Sequence, residues 1–316
     1  MTAPEGGAAE ADGSYYGRPI IKAPVWKRDI TAYLFTGGLA AGSSLLAAGA
    51  DLTGRSELRR GCRLTSLAAL SASAAFLVHD LGRPSRFANM LRVFKPTSPM
   101  SMGTWILTAY GPLAGLAAAS ELAGALPNGR LRSTGPAAGR AAGLGAAALA
   151  PGLATYTAVL LADTAVPAWH EAHRHLPLLF AGSALASGAG AGLLVAPTSQ
   201  TGPVRRLAVA ATALEVAATS VLEHRLGRQS QAYRAPGPAR LLRLARGLGI
   251  AGVAAAIAGR RSRPLSGVAG AALLAGSVCT RSGVYQAGLV SAADPAYTVL
   301  PQRERRERPR EPSDRA

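Results

Sequence analysis

"ITAYLFTGGLAAGSSLLAAGA", residues 30–50, carries no charged side chain. At 1.5 Å per residue, about 20 such residues cross the hydrocarbon core of a bilayer as one helix. The stretch is apolar on every face, whereas a helix of a soluble bundle would keep a polar stripe. Similar uncharged runs follow at Leu64–Val78, Ser101–Ser120, Ala141–Ala162 and Leu176–Val204. Three weaker ones complete the set. Leu207–Leu222 is interrupted only by Glu215, Gly247–Gly259 extends back over Leu241–Leu244, and Pro264–Thr280 is the last. The pattern predicts an all-α, polytopic membrane bundle of about eight transmembrane helices, the element that satisfies its own backbone in lipid. Gly38 and Gly42 form a small-xxx-small pair suited to close helix packing.

Composition agrees. Of 316 residues 49% are hydrophobic and 16% charged, against about 25% charged in soluble domains. The net charge of +17 comes with no nucleic-acid-binding motif, and in a membrane protein basic loops meet anionic headgroups and set topology. Residues 1–28 are polar, contain Pro19 and Pro24, and read as a peripheral arm without a cleavable signal. Residues 29–283 form the eight-helix domain, and 284–316 a C-terminal segment. Met1–Ser14 and the Arg/Glu/Pro tail from Gln302 read as disordered.

Eight spans place both termini on one face. Of the Lys and Arg residues, 22 fall on that terminus side and 12 opposite, which favours cytoplasmic termini. All five histidines and all three tryptophans fall on the terminus side too. Ionisable groups gather there at helix ends. Asp29 and Tyr33 share one face of span 1; His79 and Asp80 end span 2; Tyr156 and Asp163 lie two turns apart on span 4; His170 and Glu171 follow. Such groups at membrane depth are expensive, which makes them functional candidates. A quinone headgroup needs hydrogen-bond partners for two oxygens and groups that exchange protons, and His with carboxylates suits that. His170, His173 and His175 are spaced closely enough to suggest zinc, but no cysteine joins them, and no metal site is assigned. No haem is expected either, since no two histidines face each other in mid-membrane. Cys62 and Cys279 fall toward opposite faces, and two thiols cannot hold an iron–sulfur cluster. Glu215, alone in span 6, reads as protonated, hydrogen-bonded to a neighbouring helix, or part of a proton path. "RSELRRGCR", residues 55–63, reads as a solvated loop.

"WKRDITAYLFTGGLAAGSSLLAAGADLTGR" (26–55), "HDLGRPSRFANMLRVFKPTSPMSMGTWIL" (79–107), "YTAVLLADTAVPAWHEAHRHLPLLFAGSALASG" (156–188) and "DPAYTVLPQR" (294–303) together resemble the NrfD-like polysulfide reductase membrane-subunit family. Arg28 stands where many members carry an aromatic residue. The resemblance implies an eight-helix subunit in a prokaryotic cell membrane, without haem or cluster of its own. It implies a ferredoxin-type iron–sulfur partner, a molybdopterin catalytic subunit, and exchange of electrons and protons with the quinone/quinol pool (menaquinone or ubiquinone) in anaerobic respiration. On it the quinone and proton-transfer residues are Asp29, Tyr33, His79, Asp80, Tyr156, Asp163 and His170. The partner would dock on Arg83, Arg86, Arg92, Lys95 and Trp169, since Arg and Trp are enriched at interfaces. A secondary transporter would instead carry broken helices at the midplane. A purely structural anchor would need no His/Asp cluster.

Overall fold

The structure, a computed structural model, describes residues 19–22, 24, 26, 28–80, 89–123 and 130–307. Most of the N-terminal arm, Arg83, Arg86 and residues 308–316 of the tail lie outside the described residues. Among those described there are helices and turns but no strand. Eight helices have 20 residues or more: α1 (Arg28–Leu52), α2 (Ser56–Asp80), α3 (Pro99–Ala123), α4 (Arg130–Ala162), α6 (Leu176–Val195), α7 (Gly202–Arg225), α9 (Pro236–Ala258) and α10 (Arg263–Ala293). Short α5 (Pro167–Glu171) and α8 (Ser230–Arg234) sit in the connections on the terminus side, and α11 (Ala296–Glu307) follows α10. Six of the eight long helices are both long and apolar enough to cross a membrane: α1, α2, α4, α6, α7 and α9. The chain is an integral membrane protein built as an all-α bundle.

Local signals explain the helix ends. Proline occupies the first turn of α5, α6, α7, α9 and α10, where its missing N–H costs nothing. Ser262 caps α10 by accepting from the Leu265 N–H. Gly54, at φ +68°, makes the tight turn between α1 and α2. Arg263, at the start of α10, donates to the terminal carbonyls of α6 at Leu193 and Ala196, 2.8 and 2.5 Å away.

Helices α1 and α6 form the centre. α1 packs on α2, α4, α6 and α10, and α6 packs on α1, α4, α7 and α10. Glycine makes both crossings close. A Cβ on Gly42 would come within 2.0 Å of the Ala184 carbonyl oxygen, and one on Gly270 within 2.5 Å of the Gly190 carbonyl oxygen. Outward-facing Leu116, Val159, Leu178, Val209, Ile250 and Val268 are exposed, as a lipid-facing surface requires.

Several sequence expectations need correction. Residues 56–63 are not a solvated loop but the first turns of α2. Arg59 and Arg63 there clasp Asp51 of α1 and Glu121 of α3 at 2.7–3.3 Å, and Arg63 is only 5% exposed. Its guanidinium lies against Gly143 of α4, where a Cβ would sit 2.8 Å from Nη2. The uncharged run 176–204 is two elements, because Pro197–Thr201 forms a turn between α6 and α7. Helix α10 continues to Ala293, beyond residue 283. Arg281, counted with the terminus-side cations, is 1% exposed inside the bundle.

Candidate functional site

The terminus-side end holds two pairs organised by α1. Asp29 lies in the first turn of α1 and His79 in the last turn of α2, where an anion and a cation respectively suit the helix dipole. The His79 Nδ1 and Asp29 Oδ2 are 2.9 Å apart, with Asp29 about three-quarters covered and His79 open to solvent. One turn further along α1, the buried Tyr33 hydroxyl hydrogen-bonds the Tyr156 hydroxyl of α4. Gly103 of α3 leaves room for the Tyr156 ring, which a Cβ would meet at 2.3 Å.

The remaining candidates distribute differently. Asp80 ends α2 close enough for its charge to act on the Tyr285 hydroxyl of α10. Asp163 lies one residue past α4 and is exposed, so it does not join Tyr156. His170, also exposed, donates from Nδ1 to the Ala162 carbonyl at 3.1 Å and so closes the C-terminus of α4. His173 donates to the His170 carbonyl at 3.0 Å. Among the described residues no three His, Cys, Asp or Glu side chains converge as a metal site.

Trp169, one of the expected docking residues, lies inside the bundle. It is wholly buried, stacked between Trp26 (5.9 Å between ring centres) and Tyr285 (5.7 Å), and its indole N–H donates to the Val284 carbonyl at 2.8 Å. The ring rests on Gly288, where any Cβ would come within 1.9 Å of it. Tyr285 donates to the Trp26 carbonyl at 2.7 Å, which ties the chain before α1 to α10. Tyr233 donates to the Ala168 carbonyl at 3.0 Å, and burial pushes its phenol well above the usual range. These aromatics hold the helix ends as one rigid platform. Arg92 and Lys95 of the docking set are exposed on the segment leading into α3.

Beside the platform, a crevice of about 610 Å³ opens on the outer surface between α1 and α10. Phe35, Val278 and Leu289 give it apolar walls, and Thr31, Ser282 and Gln286 bring polar side chains that bond to no described residue. Tyr285 lines its inner end. None of the crevice residues was singled out in the sequence. Thr31 and Phe35 occupy the face of α1 opposite Asp29 and Tyr33. Ser282, Tyr285 and Gln286 lie past Thr280, where the last uncharged run stops.

Such an arrangement defines a polytopic membrane protein with one chemically equipped end and a lipid-accessible crevice beside it. Residues 20–217 match the family model of the polysulphide reductase NrfD, and the chain belongs to that family. It is thus a membrane-anchor subunit of the polysulfide-reductase type, whose partners are redox subunits. The match runs from the segment before α1 into α7, so Tyr285 and the crevice wall on α10 lie beyond it. Compared with individual curated proteins, the chain has no significant match.

Proposed function

We propose that this subunit exchanges electrons and protons between quinone or quinol in the membrane and an iron–sulfur subunit docked on its terminus-side face, with a molybdopterin subunit beyond. The observation that carries the reading is the α1/α10 crevice. Its volume lies in the range of small-ligand sites. Its walls suit an isoprenoid chain. The hydroxyls of Thr31 and Ser282 and the Gln286 amide, bonded to no described residue, supply donors that quinone oxygens require. Polar groups left unpaired at membrane depth are costly, so a ligand that engages them is favoured.

Tyr285 lines the crevice within reach of the Asp80 charge, and the Asp29–His79 pair meets solvent on the opposite face of α1. In this reading the carboxylates and His79 pass protons between headgroup and water. Tunnelling falls steeply with distance, so the partner's cluster sits directly over the aromatic platform. Exposed Arg92 and Lys95 lie on that face to receive it.

The assembled complex tests this through quinol-linked turnover. Gln286→Leu should raise the KM for quinol or lower kcat by about tenfold, the cost of one lost hydrogen bond to a substrate oxygen, while the partner subunits still co-purify. Unchanged kinetics in Gln286→Leu and Ser282→Ala would remove the crevice from the mechanism.

A further inference from the structure

The opposite membrane face carries a second groove, far from the redox end. Helices α1 and α7 both pack on α6 and leave between them a cleft of about 350 Å³. Leu45, Leu185 and Leu207 line its depth, and Thr53 and Arg55 of the α1–α2 turn and Arg206 of α7 stand at its membrane-surface end. From Thr53 back to Leu45 is eight helical residues, roughly 12 Å, so the cleft runs from headgroup level into the acyl region. No carboxylate lines it.

Two features separate this cleft from an ordinary lipid-facing furrow. Among the described residues the exposed Arg206 side chain bonds to none, and the Arg55 side chain makes only a 3.3 Å contact from Nη1 to the Thr53 carbonyl. Glu57, the nearest acid in sequence to Arg55, lies in the first turn of α2 and is not among the lining residues. Gly49 contributes the second feature. It sits in the cleft wall with open space where a Cβ would be, so its missing side chain widens the cleft.

We propose that this cleft binds one anionic phospholipid, its phosphate between Arg55 and Arg206 and an acyl chain along Leu45, Leu185 and Leu207. Charge complementarity selects the headgroup, and the apolar length selects a lipid over a free anion. The bound lipid would bridge the first and second halves of the bundle on the side that lacks the aromatic platform.

Native mass spectrometry of the full-length protein in mild detergent, titrated with phosphatidylglycerol or phosphatidylcholine, tests this. Wild type should retain phosphatidylglycerol preferentially. Arg55→Gln with Arg206→Gln should weaken that binding about 25-fold, from roughly fivefold per arginine, and leave phosphatidylcholine binding unchanged. Gly49→Phe, whose side chain enters open space, should reduce binding of both lipids while thermal unfolding shows the fold intact. Equal phosphatidylglycerol binding by wild type and the double arginine variant overturns the proposal. Full displacement of the lipid by millimolar inorganic phosphate also overturns it, in favour of a free-anion site.

Discussion

Arg281 sets the most demanding condition of any single residue in the bundle. It is buried among α1, α6 and α10, donates to the Phe180 carbonyl at 2.8 Å, and lies 3.9 Å from the centre of the Phe180 ring. Glu215 of α7 accepts from Thr280, next to Arg281, and lies within reach of its charge. Among the described residues no direct ion pair joins the two, yet each buried charge offsets the other, so removing one alone should cost a few kcal/mol, whereas replacing both with apolar groups should cost much less. Arg281→Met should therefore lower the thermal unfolding temperature in detergent sharply, and Glu215→Leu in that background should recover most of the loss. Additive losses in this cycle would show that the two residues act independently. The sequence displayed Glu215 as a lone charge in an apolar run. Its partner was hidden because Arg281 ends the uncharged stretch at Thr280 and so resembled a loop cation. The same limit applied to Trp169, whose neighbours Trp26 and Tyr285 are more than a hundred residues distant in the chain. By contrast Asp29–His79 and Tyr33–Tyr156 were visible as candidates, because ionisable or hydroxyl groups at helix ends stand out against Ala, Gly and Leu.

At the scale of elements, the α1–α6 crossing decides how close the two central helices stand. Gly42 and Gly188 face each other there, and a Cβ on Gly188 would come within 2.4 Å of the Gly42 carbonyl carbon. Backbone cannot yield as a flexible side chain can, so Gly42→Ala should destabilise by about 1–3 kcal/mol. Gly49→Ala on the same helix should be neutral or stabilising by up to about 1 kcal/mol, since its Cβ meets nothing and alanine favours helix. Thermal melts of the two variants side by side check this, and equal losses would contradict the packing described. Gly42 was legible as half of a small-xxx-small pair with Gly38. The partner helix was not, because spacing within one helix says nothing about its neighbour. The eight long helices were legible from the uncharged runs, whereas short α5 and α8 were not, and α11 runs to Glu307, into the tail that read as disordered from Gln302. Helix boundaries were less so, where arginines pair inside α2 or where an uncharged turn such as Pro197–Thr201 joins two helices.

For the whole molecule, eight long helices place the segment before α1, the α2–α3 and α4–α6 connections and α11 on one face. In a Cys279→Ala background, with Cys62 buried, a membrane-impermeant maleimide should label Thr97→Cys and His173→Cys from one side of sealed vesicles. Thr53→Cys should label only from the other; all three positions are exposed. Labelling of Thr97→Cys and Thr53→Cys from the same side would break the even-pass topology. The proposed quinone chemistry belongs to the α1/α10 crevice beside the aromatic platform. A photoreactive quinone, crosslinked in membranes to the assembled complex and mapped by peptide mass spectrometry, tests it most directly. Adducts are expected on Thr31, Phe35, Ser282 or Gln286, suppressed by excess natural quinone. Competable adducts confined to α3, α9 or the Arg55–Arg206 face would contradict it.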